Sequence, residues 1–582
     1  MSLRTVLQKI LFTVLIPLSV SSALWLYLYP VLQGCAFPLA VVTAADEQTR
    51  EGSWLSNSVI NTLYQHAADW NLTANGERDE AALFRLLVLA DPQIEGDSSL
   101  PSPDDEFIPR LSRHWENVQA FLSTPDAATN IKDTAQTIFL EDIPFAFRAA
   151  RKRLDLLGND YYLAHIYRTL SWWSRPTHVT VLGDLIGSQW VTDEEFENRG
   201  WRFWERVFRG GQRVDDNITI TGEKSYGEGS KEEELEILQR YNSSWSKRII
   251  NIAGNHDIGY AGDVSRARLE RFERIFGRAN WDIRFAHPPL TNKSDTRPTL
   301  HIINLNDLTL DGPPLDPSIQ SDSYTYVNDL LTHRSYPVED QTSFTLLLTH
   351  VPLHKRDGIC VDEPYFTFFD EDDTPDNEND PLRWRKDGLR EQNHLSEHVS
   401  TNAILQGIFG MSGDSAAPVA GKGRRGLILT GHDHEGCDVV HFVRRNHHET
   451  PPSDHSESEG QEHTRSWQWD ASRYSPSSSP TTESTDPSIR EVTLRSMMGE
   501  YGGNAALLSI WFDTNPEVNQ WRYEIQMCPA GVQHIWWAVH GLTVACVIGL
   551  GVVVGLKGLE VLGVVSEPVL RGRGARIEAK RR

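Results

Sequence analysis

The sequence predicts one large α/β domain carried between two apolar helices, one near each end of the 582-residue chain. Three observations point there. Five short apolar runs each stop at a polar residue: LLVLADPQ, VTVLGDLIG, RIINIAGNHD, FTLLLTHVP and LILTGHDHEG. Continuous apolar runs of this length, bounded in this way, read as buried strands. The runs are scattered from Leu86 to Gly436, which fits one domain with insertions better than several small ones. Finally, residues 10–32 and 535–556 carry no charge, and each run is long enough to cross a bilayer.

In chain order, Arg4 and Lys9 precede the first apolar run, and the uncharged stretch continues to Ala45. A cleaved secretory signal has an apolar core of only about 7–15 residues, so an uncleaved anchor is the favoured reading and a signal peptide the alternative. Residues 45–82 read as a weakly helical approach, with Trp54, Val59 and Leu63 on one face. Residues 86–90 form the first strand, and 95–106 a polar rim loop. Residues 143–173 read as one or two helices. Asn159 and Asp160 interrupt their apolar face, and either buttress a site or cap a helix boundary. Residues 190–208 are helical, with Trp201, Trp204 and Phe208 expected in the core. Helices are also expected over 231–241, 264–276 and 321–333, and strands over 300–305 and 344–348. An acidic insertion covers 362–380. Residues 449–486, rich in Ser, Pro, Glu and His, read as disordered. Strands over 491–495 and 507–512 close the domain. The Gly-rich turn 496–504 between them is either a tight hairpin or a rim element carrying Glu500 and Tyr501.

The polar residues at the strand ends carry the chemistry. Asp91, Asp184, Asn255, His350, His432 and His434 come from five separate loops. Carboxylates and imidazoles gathered in this way suit Mn, Fe or Zn, and a shared carboxylate can bridge two ions about 3.5–4 Å apart. The blocks Asp91-Pro92-Gln93, Gly183-Asp184, Gly254-Asn255-His256-Asp257, His350 and Gly431-His432-Asp433-His434 stand in the order of DxH, GD, GNH[DE], H and GHxH. In this the chain resembles the calcineurin-like metallophosphoesterase superfamily.

That resemblance implies a four-layer metallophosphoesterase β-sandwich flanked by helices, and the two apolar runs add one transmembrane helix at each end. It also implies a dimetal phosphoesterase. Asp91, Gln93, Asp184 and His434 would hold one divalent ion. Asp184, Asn255, His350 and His432 would hold the other, with Asp184 bridging. His256 would be the catalytic proton donor to the leaving oxygen. Asp257 either orients His256 or caps the next segment. His354, His441, His447 and His448 belong to no block and read as ordinary histidines. The one departure is Gln93, where the usual block has His. A neutral amide oxygen is a weaker, harder ligand; it either holds the ion and tilts selectivity toward Mn, with Fe and Zn as alternatives, or leaves that position to water.

The DPQ variant, together with ADPQIEGD, LGNDYY, GHDHEGCD and RSMMGEYGGN, is similar to fungal endoplasmic-reticulum phosphoesterases that remodel glycosylphosphatidylinositol (GPI) anchors. The implied reaction removes ethanolamine phosphate from a mannose of the anchor glycan. GPI-anchored proteins, and cargo-export receptors that carry them, are then the expected partners. The alternatives are a phosphoesterase for another lipid or nucleotide, and a non-catalytic metal-binding module in manganese homeostasis or cargo export. A net charge of −24 argues against nucleic acid as a partner.

The ends and cysteines suit that compartment. Lys557 and a basic tail follow the second apolar run, so the positive-inside rule puts both ends in the cytosol. The expected organisation is a cytosolic segment 1–9, a helix 10–32, a luminal domain 33–534 with its core at about 86–512, a helix 535–556 and a cytosolic tail 557–582. Sequons at Asn71, Asn217, Asn242 and Asn292 agree with a luminal middle. Cys360 and Cys437 follow two loops that would meet at the metals, so they are either bonded in an oxidising lumen or two buried thiols.

Overall fold

Strand runs apolar on both faces are the sign of sheets covered on both sides, and the computed structural model contains two of them. It describes residues 3–40, 82–96, 100–122, 127–219, 236–239, 244–289, 297–332, 338–370, 382–445, 467–475, 486–499 and 502–562, with isolated positions 59, 62 and 66. The first sheet has the order β16-β15-β1-β2-β5-β3. Its strands are β1 (Phe84–Leu89), β2 (His178–Val181), β3 (Gln212–Arg213), β5 (Arg248–Asn251), β15 (Gly502–Asp513) and β16 (Gln520–Val532). The second sheet has the order β13-β12-β14-β11-β8-β7-β6-β4. It is built from β4 (Glu236–Ile237), β6 (Trp281–Ala286), β7 (Thr299–Asn304), β8 (Ser343–Leu348), β11 (Gly426–Thr430), β12 (Cys437–Arg445), β13 (Trp467–Arg473) and β14 (Ser488–Thr493). The remaining pair, β9 (Phe366–Phe368) and β10 (Leu389–Gln392), forms a small separate ladder.

Alternation along the strands sorts the core. Phe84, Leu86 and Val88 of β1 share one apolar cluster with Phe285, Leu300, Leu346 and Leu427 of the other sheet, so the two sheets face each other there. The intervening residues Leu87, Leu89, Val179 and Val181 pack instead with Leu163, Ile166 and Leu170. Those three lie on one of nine helices labelled here in chain order: α1 (Leu3–Ile10), α2 (Ile16–Leu32), α3 (Phe107–Phe121), α4 (Ala127–Thr137), α5 (Ile143–Ser174), α6 (Asp193–Arg202), α7 (Arg266–Phe276), α8 (Pro317–Thr332) and α9 (Gln533–Val561). Leu347 and Ile428 of the second sheet pack in the same way with Val327 and Leu330 of α8. β1, β2 and β5 run parallel in one sheet, and β8 and β11 run parallel in the other. Their carboxyl ends deliver Asp91, Asp184, Asn255, His350 and His432 to one rim, the usual place for a site in parallel sheets.

Both apolar ends are helical. A π-helical turn (Leu11–Leu15) joins α1 to α2, and this helix and α9 are each long and apolar enough to cross a membrane. They pack antiparallel: Ser19 Oγ lies 3.0 Å from Thr543 Oγ1, Arg4 pairs with Glu560 at 3.1 Å, and Leu11 clusters with Cys546 and Val553. A Cys35–Cys528 disulfide ties the chain leaving α2 to the strand entering α9. Cys360 and Cys437 are bonded, so of the two alternatives for that pair the structure takes the disulfide.

The structure departs from expectation in several places. Within 231–241 the described part is an edge strand, Glu236–Ile237, paired with Phe285 and Ala286 rather than a helix. Leu238 then buries between the sheets, which fixes the segment against the edge. Within the low-complexity stretch 449–486, Trp467–Arg473 is a strand paired along β12. Trp201 points outward and is 53% exposed, whereas Phe203 and Phe208 fill the core. The strand β16 closing the first sheet was not anticipated. Both terminal helices also extend past the expected bounds of 10–32 and 535–556. Of the helical approach expected over 45–82, only residues 59, 62, 66 and 82 are described, the first three helical; Glu500 and Tyr501, Asn71, Asn242 and Asn292 lie outside the described residues, while Asn217 is exposed.

Two buried ion-pair networks brace the rim. Asp160 of α5 takes a fork of hydrogen bonds from Arg202 at 2.7 and 2.8 Å and a third from Arg206 at 3.0 Å. Arg202 also donates to the Glu95 carbonyl at 2.6 Å, holding the loop that follows Gln93. Glu491 of β14 binds Lys355 at 2.8 Å and His441 at 2.6 Å, and accepts the Leu353 N–H just beyond His350. Asp160→Asn should cost about 3–5 kcal/mol in denaturant unfolding, because it leaves buried guanidinium charge uncompensated. Asp160→Leu combined with Arg202→Met should recover much of that loss. Burial raises the Glu491 carboxyl, but Lys355 and His441 outweigh it and hold its pKa down at about 2, below the ordinary 4.5. A depressed acid stabilises the fold above its unfolded value and loses that contribution as pH falls through the folded one. Unfolding free energy should therefore drop between pH 4.5 and about 2. Glu491→Gln should be less stable at pH 7 and should lack this decline.

Candidate metal centre

The rim loops are held in conformations that side chains adopt at a cost. Asp91, Gln93, Asp184 and His432 all have positive φ, at 48°, 40°, 49° and 73°. Four such residues at one rim are strain of the kind found at functional sites. The glycines of the motifs make room for it. A Cβ at Gly254 would stand 2.0 Å from the Asp184 nitrogen, and one at Gly183, itself at φ 87°, 2.2 Å from His350 Nδ1. Only glycine allows these loops to approach so closely.

All seven sequence-predicted ligands converge here, and His256 stands beside them. Asp91 is buried: its Oδ1 accepts the His432 N–H at 3.2 Å, and its Oδ2 has no partner. Ligand atoms of Asp91, Asp184 and His434 all lie within 4.8 Å of one another. Burial, then the Asp184 charge, push the Asp91 carboxyl well above the carboxylate range. Burial raises Asp184 too, but His350 and His256 outweigh it and hold this carboxyl below its ordinary value. Two buried carboxylates side by side are costly unless cations balance them.

The histidines point to the same need. His350 Nδ1 donates to the Leu182 carbonyl at 2.8 Å, and His432 Nε2 to the Gln392 carbonyl at 2.8 Å. Burial lowers both pKa values, that of His432 to about 4, so neither ring carries a second proton at neutral pH. The lone pairs of His350 Nε2 and His432 Nδ1 then face Asn255 Oδ1, itself an acceptor, at 2.9 and 3.0 Å. Asp184 Oδ1 lies 3.4 Å from His350 Nε2. Two imidazole lone pairs on one amide oxygen, with Asp184 Oδ1 beside one of them and no proton between, are a set of acceptors that suits a cation. The carbonyls of Leu182 and Gln392 set the tautomers, as outer partners of metal-binding histidines do. Neither is visible in sequence, because any residue supplies a carbonyl.

Gln93 sits across the gap. Its Nε2 is 3.2 Å from both Asp184 Oδ2 and His434 Nε2, so in this orientation the amide donates rather than offering its oxygen. A half-turn of the amide puts the oxygen at the same point. His256 donates its backbone N–H to Asp184 Oδ1 at 2.8 Å, and its ring, 38% exposed, stands 3.8 Å from Asp184 Oδ2. Asp257 does not touch that ring. Its carboxylate accepts the N–H groups of Gly254 at 2.9 Å and Ile186 at 3.0 Å, capping the turn Asn255–Ile258. The buried, partnerless Asp91 oxygen beside Asp184 and His434 fits a divalent ion. Identity of the ion is not dictated by this set, since oxygen and imidazole serve Mn, Fe and Zn alike.

Known proteins share much of this chain. Protein TED1 of Saccharomyces cerevisiae is 33% identical over 414 residues, covering 66% of this chain and 75% of that protein. A Schizosaccharomyces pombe protein named C23A1.02c is 28% identical over 302 residues, 50% of this chain and 57% of its own length. Metallophosphoesterase 1 of Cricetulus griseus is 21% identical over 342 residues, covering 56% of this chain and 66% of that protein. No family model matches. With a buried Asp/His centre on a two-sheet scaffold, the chain belongs to the metallophosphoesterase-like family of Protein TED1 and metallophosphoesterase 1.

Proposed function

We propose that this protein is a membrane-anchored dimetal phosphodiesterase that removes ethanolamine phosphate from a mannose of the GPI-anchor glycan in the endoplasmic reticulum. The observation that carries the hydrolytic part is the buried, partnerless Asp91 oxygen beside Asp184 and His434. The GPI substrate rests on the similarity of the DPQ, LGNDYY and RSMMGEYGGN segments to the fungal phosphoesterases. Asp91, Asp184, His434 and Gln93 would hold one ion, and Asp184, Asn255, His350 and His432 the other. Bound there, two divalent cations supply a nucleophile from water near neutral pH and offset charge on the phosphoryl oxygens. Asp184 would contribute its carboxylate to both positions, while His350 and His432 present fixed lone pairs. His256, at the exposed edge, holds a proton on its ring and delivers it to the departing sugar oxygen. Two facing sheets with helices outside each support a four-layer domain over about 86–512. The two apolar helices support spans with both ends cytosolic and the site luminal, where two disulfides are at home.

Glycan mass spectrometry of cells lacking the protein tests the substrate. An extra ethanolamine phosphate on one mannose is expected, and an unchanged glycan would overturn the assignment. His256→Ala should keep both metals and lower turnover about 10²–10⁴-fold on an alkyl phosphodiester, and less on an aryl one. Equal losses on the two substrates would rule out the proton-donor role. A chelator titration addresses Gln93. The wild type should release one ion more readily than the other and recover best with Mn²⁺. Gln93→His should tighten that site and reduce the Mn²⁺ preference. Identical affinity and metal ranking in the two proteins would remove Gln93 from the ligand set.

A further inference from the structure

The long helix α5 carries an apolar stripe that covers nothing among the described residues. Phe147, Leu154 and Tyr161 recur every seven residues, so they share one face. They are 73%, 55% and 45% exposed. The opposite face, with Ala149, Leu156 and Asp160, is buried on the domain. Exposed large apolar side chains in line mark an interaction surface rather than chance.

The same face continues onto the two membrane helices. Gly158 and His165 lie on it by helical spacing, three and four residues from Tyr161. At Gly158 a side chain would run into the Trp537 indole, so that ring packs directly on the α5 backbone. The His165 ring meets Tyr27 edge-on at 5.1 Å, and Trp173 donates to the Tyr27 carbonyl at 2.9 Å. Tyr27 and Trp537 stand at one depth. Ser19 is level with Thr543 in the antiparallel pair, which sets Tyr27 within about a turn of Trp537. A helix touching both spans at one depth lies along the membrane plane. Phe147 and Leu154 project from the same face, about 6–16 Å further along the axis from Gly158 at 1.5 Å per residue.

We propose that the amino-terminal half of α5 seats on the surface of the bilayer that the two terminal helices cross, burying Phe147, Leu154 and Tyr161 among the acyl chains. Arg151, 85% exposed on the same face, reaches the headgroup phosphates from its long apolar stem. The seat has a consequence for the site. Asp160, on the domain side of this helix, grips Arg202, which holds the Glu95 carbonyl in the loop after Gln93. The metal rim is thereby fixed in height over the membrane, where a lipid-linked phosphodiester stands. The proposal rests on both terminal helices crossing the bilayer, and its test reads that condition separately.

Single nitroxide labels are placed on the full chain in lipid nanodiscs, in a Cys546→Ser background that keeps both disulfides. The positions are Phe147→Cys, Leu154→Cys, Val552→Cys in the second span and Glu517→Cys in the distant β15–β16 turn. Collision with oxygen, which concentrates in lipid, and with a water-soluble nickel chelate is read by power saturation. The expected result is a gain in oxygen collision and a loss of nickel collision at 147 and 154, as at 552 and opposite to 517. Nickel access at 147 and 154 with a lipid signal at 552 would overturn the seat alone. Nickel access at 552 would overturn the spanning reading and the seat with it. Protection of 147 and 154 from both reagents would assign the stripe to a second protein surface and also overturn the proposal.

Discussion

The rim depends on two histidines that have no proton to spare. His350 and His432 have each committed their N–H to a backbone carbonyl, and burial denies them a second proton. Their remaining lone pairs converge on the Asn255 oxygen beside two carboxylates, one of which has an oxygen with no partner. In water such an arrangement would disperse. Here it is held by strands that cannot move without exposing both faces of a sheet. The sheets supply rigidity, and positively charged ions are the partners for which that rigidity is arranged.

Holding five loops to this geometry costs backbone energy, and the scaffold offsets it locally. The left-handed turns at Asp91, Gln93, Asp184 and His432 are each tied to neighbours: Gln93 N–H to the Asp184 carbonyl, Gly431 N–H to that of His350, and the Ser496 hydroxyl to that of Asp91. Further out, Asp160 with Arg202 and Glu491 with Lys355 place buried charge behind the loops after Gln93 and His350. The centre is therefore anchored at three depths: backbone turn, backbone hydrogen bond and buried ion pair.

Which parts were legible in sequence has a physical explanation. β1, β2, β5, β8 and β11 are apolar on both faces, so they stand out as continuous runs, and the ligands stand out because they end those runs. Residues 236–237 misled because Leu235, Ile237 and Leu238 space as well for a helix as for a sheet edge. Trp467–Arg473 was hidden by the composition around it. The Cys35–Cys528 bond joins residues 493 apart and leaves no local signal. The Asp160 pair was half visible, as a charge interrupting an apolar helix, but its partners Arg202 and Arg206 could be found only in three dimensions. The carbonyls that fix the histidine tautomers have no sequence signature at all.

The centre of this account is that the converging acceptors form a site for two cations sharing Asp184. Elemental analysis combined with electron paramagnetic resonance of the purified full chain, loaded with Mn²⁺, tests it most directly. Two Mn²⁺ per chain with a spin-coupled signal are expected, and Asp184→Asn should lose both the coupling and at least one ion. A folded wild type that binds a single uncoupled ion, or an Asp184→Asn variant that keeps a coupled pair, would contradict it.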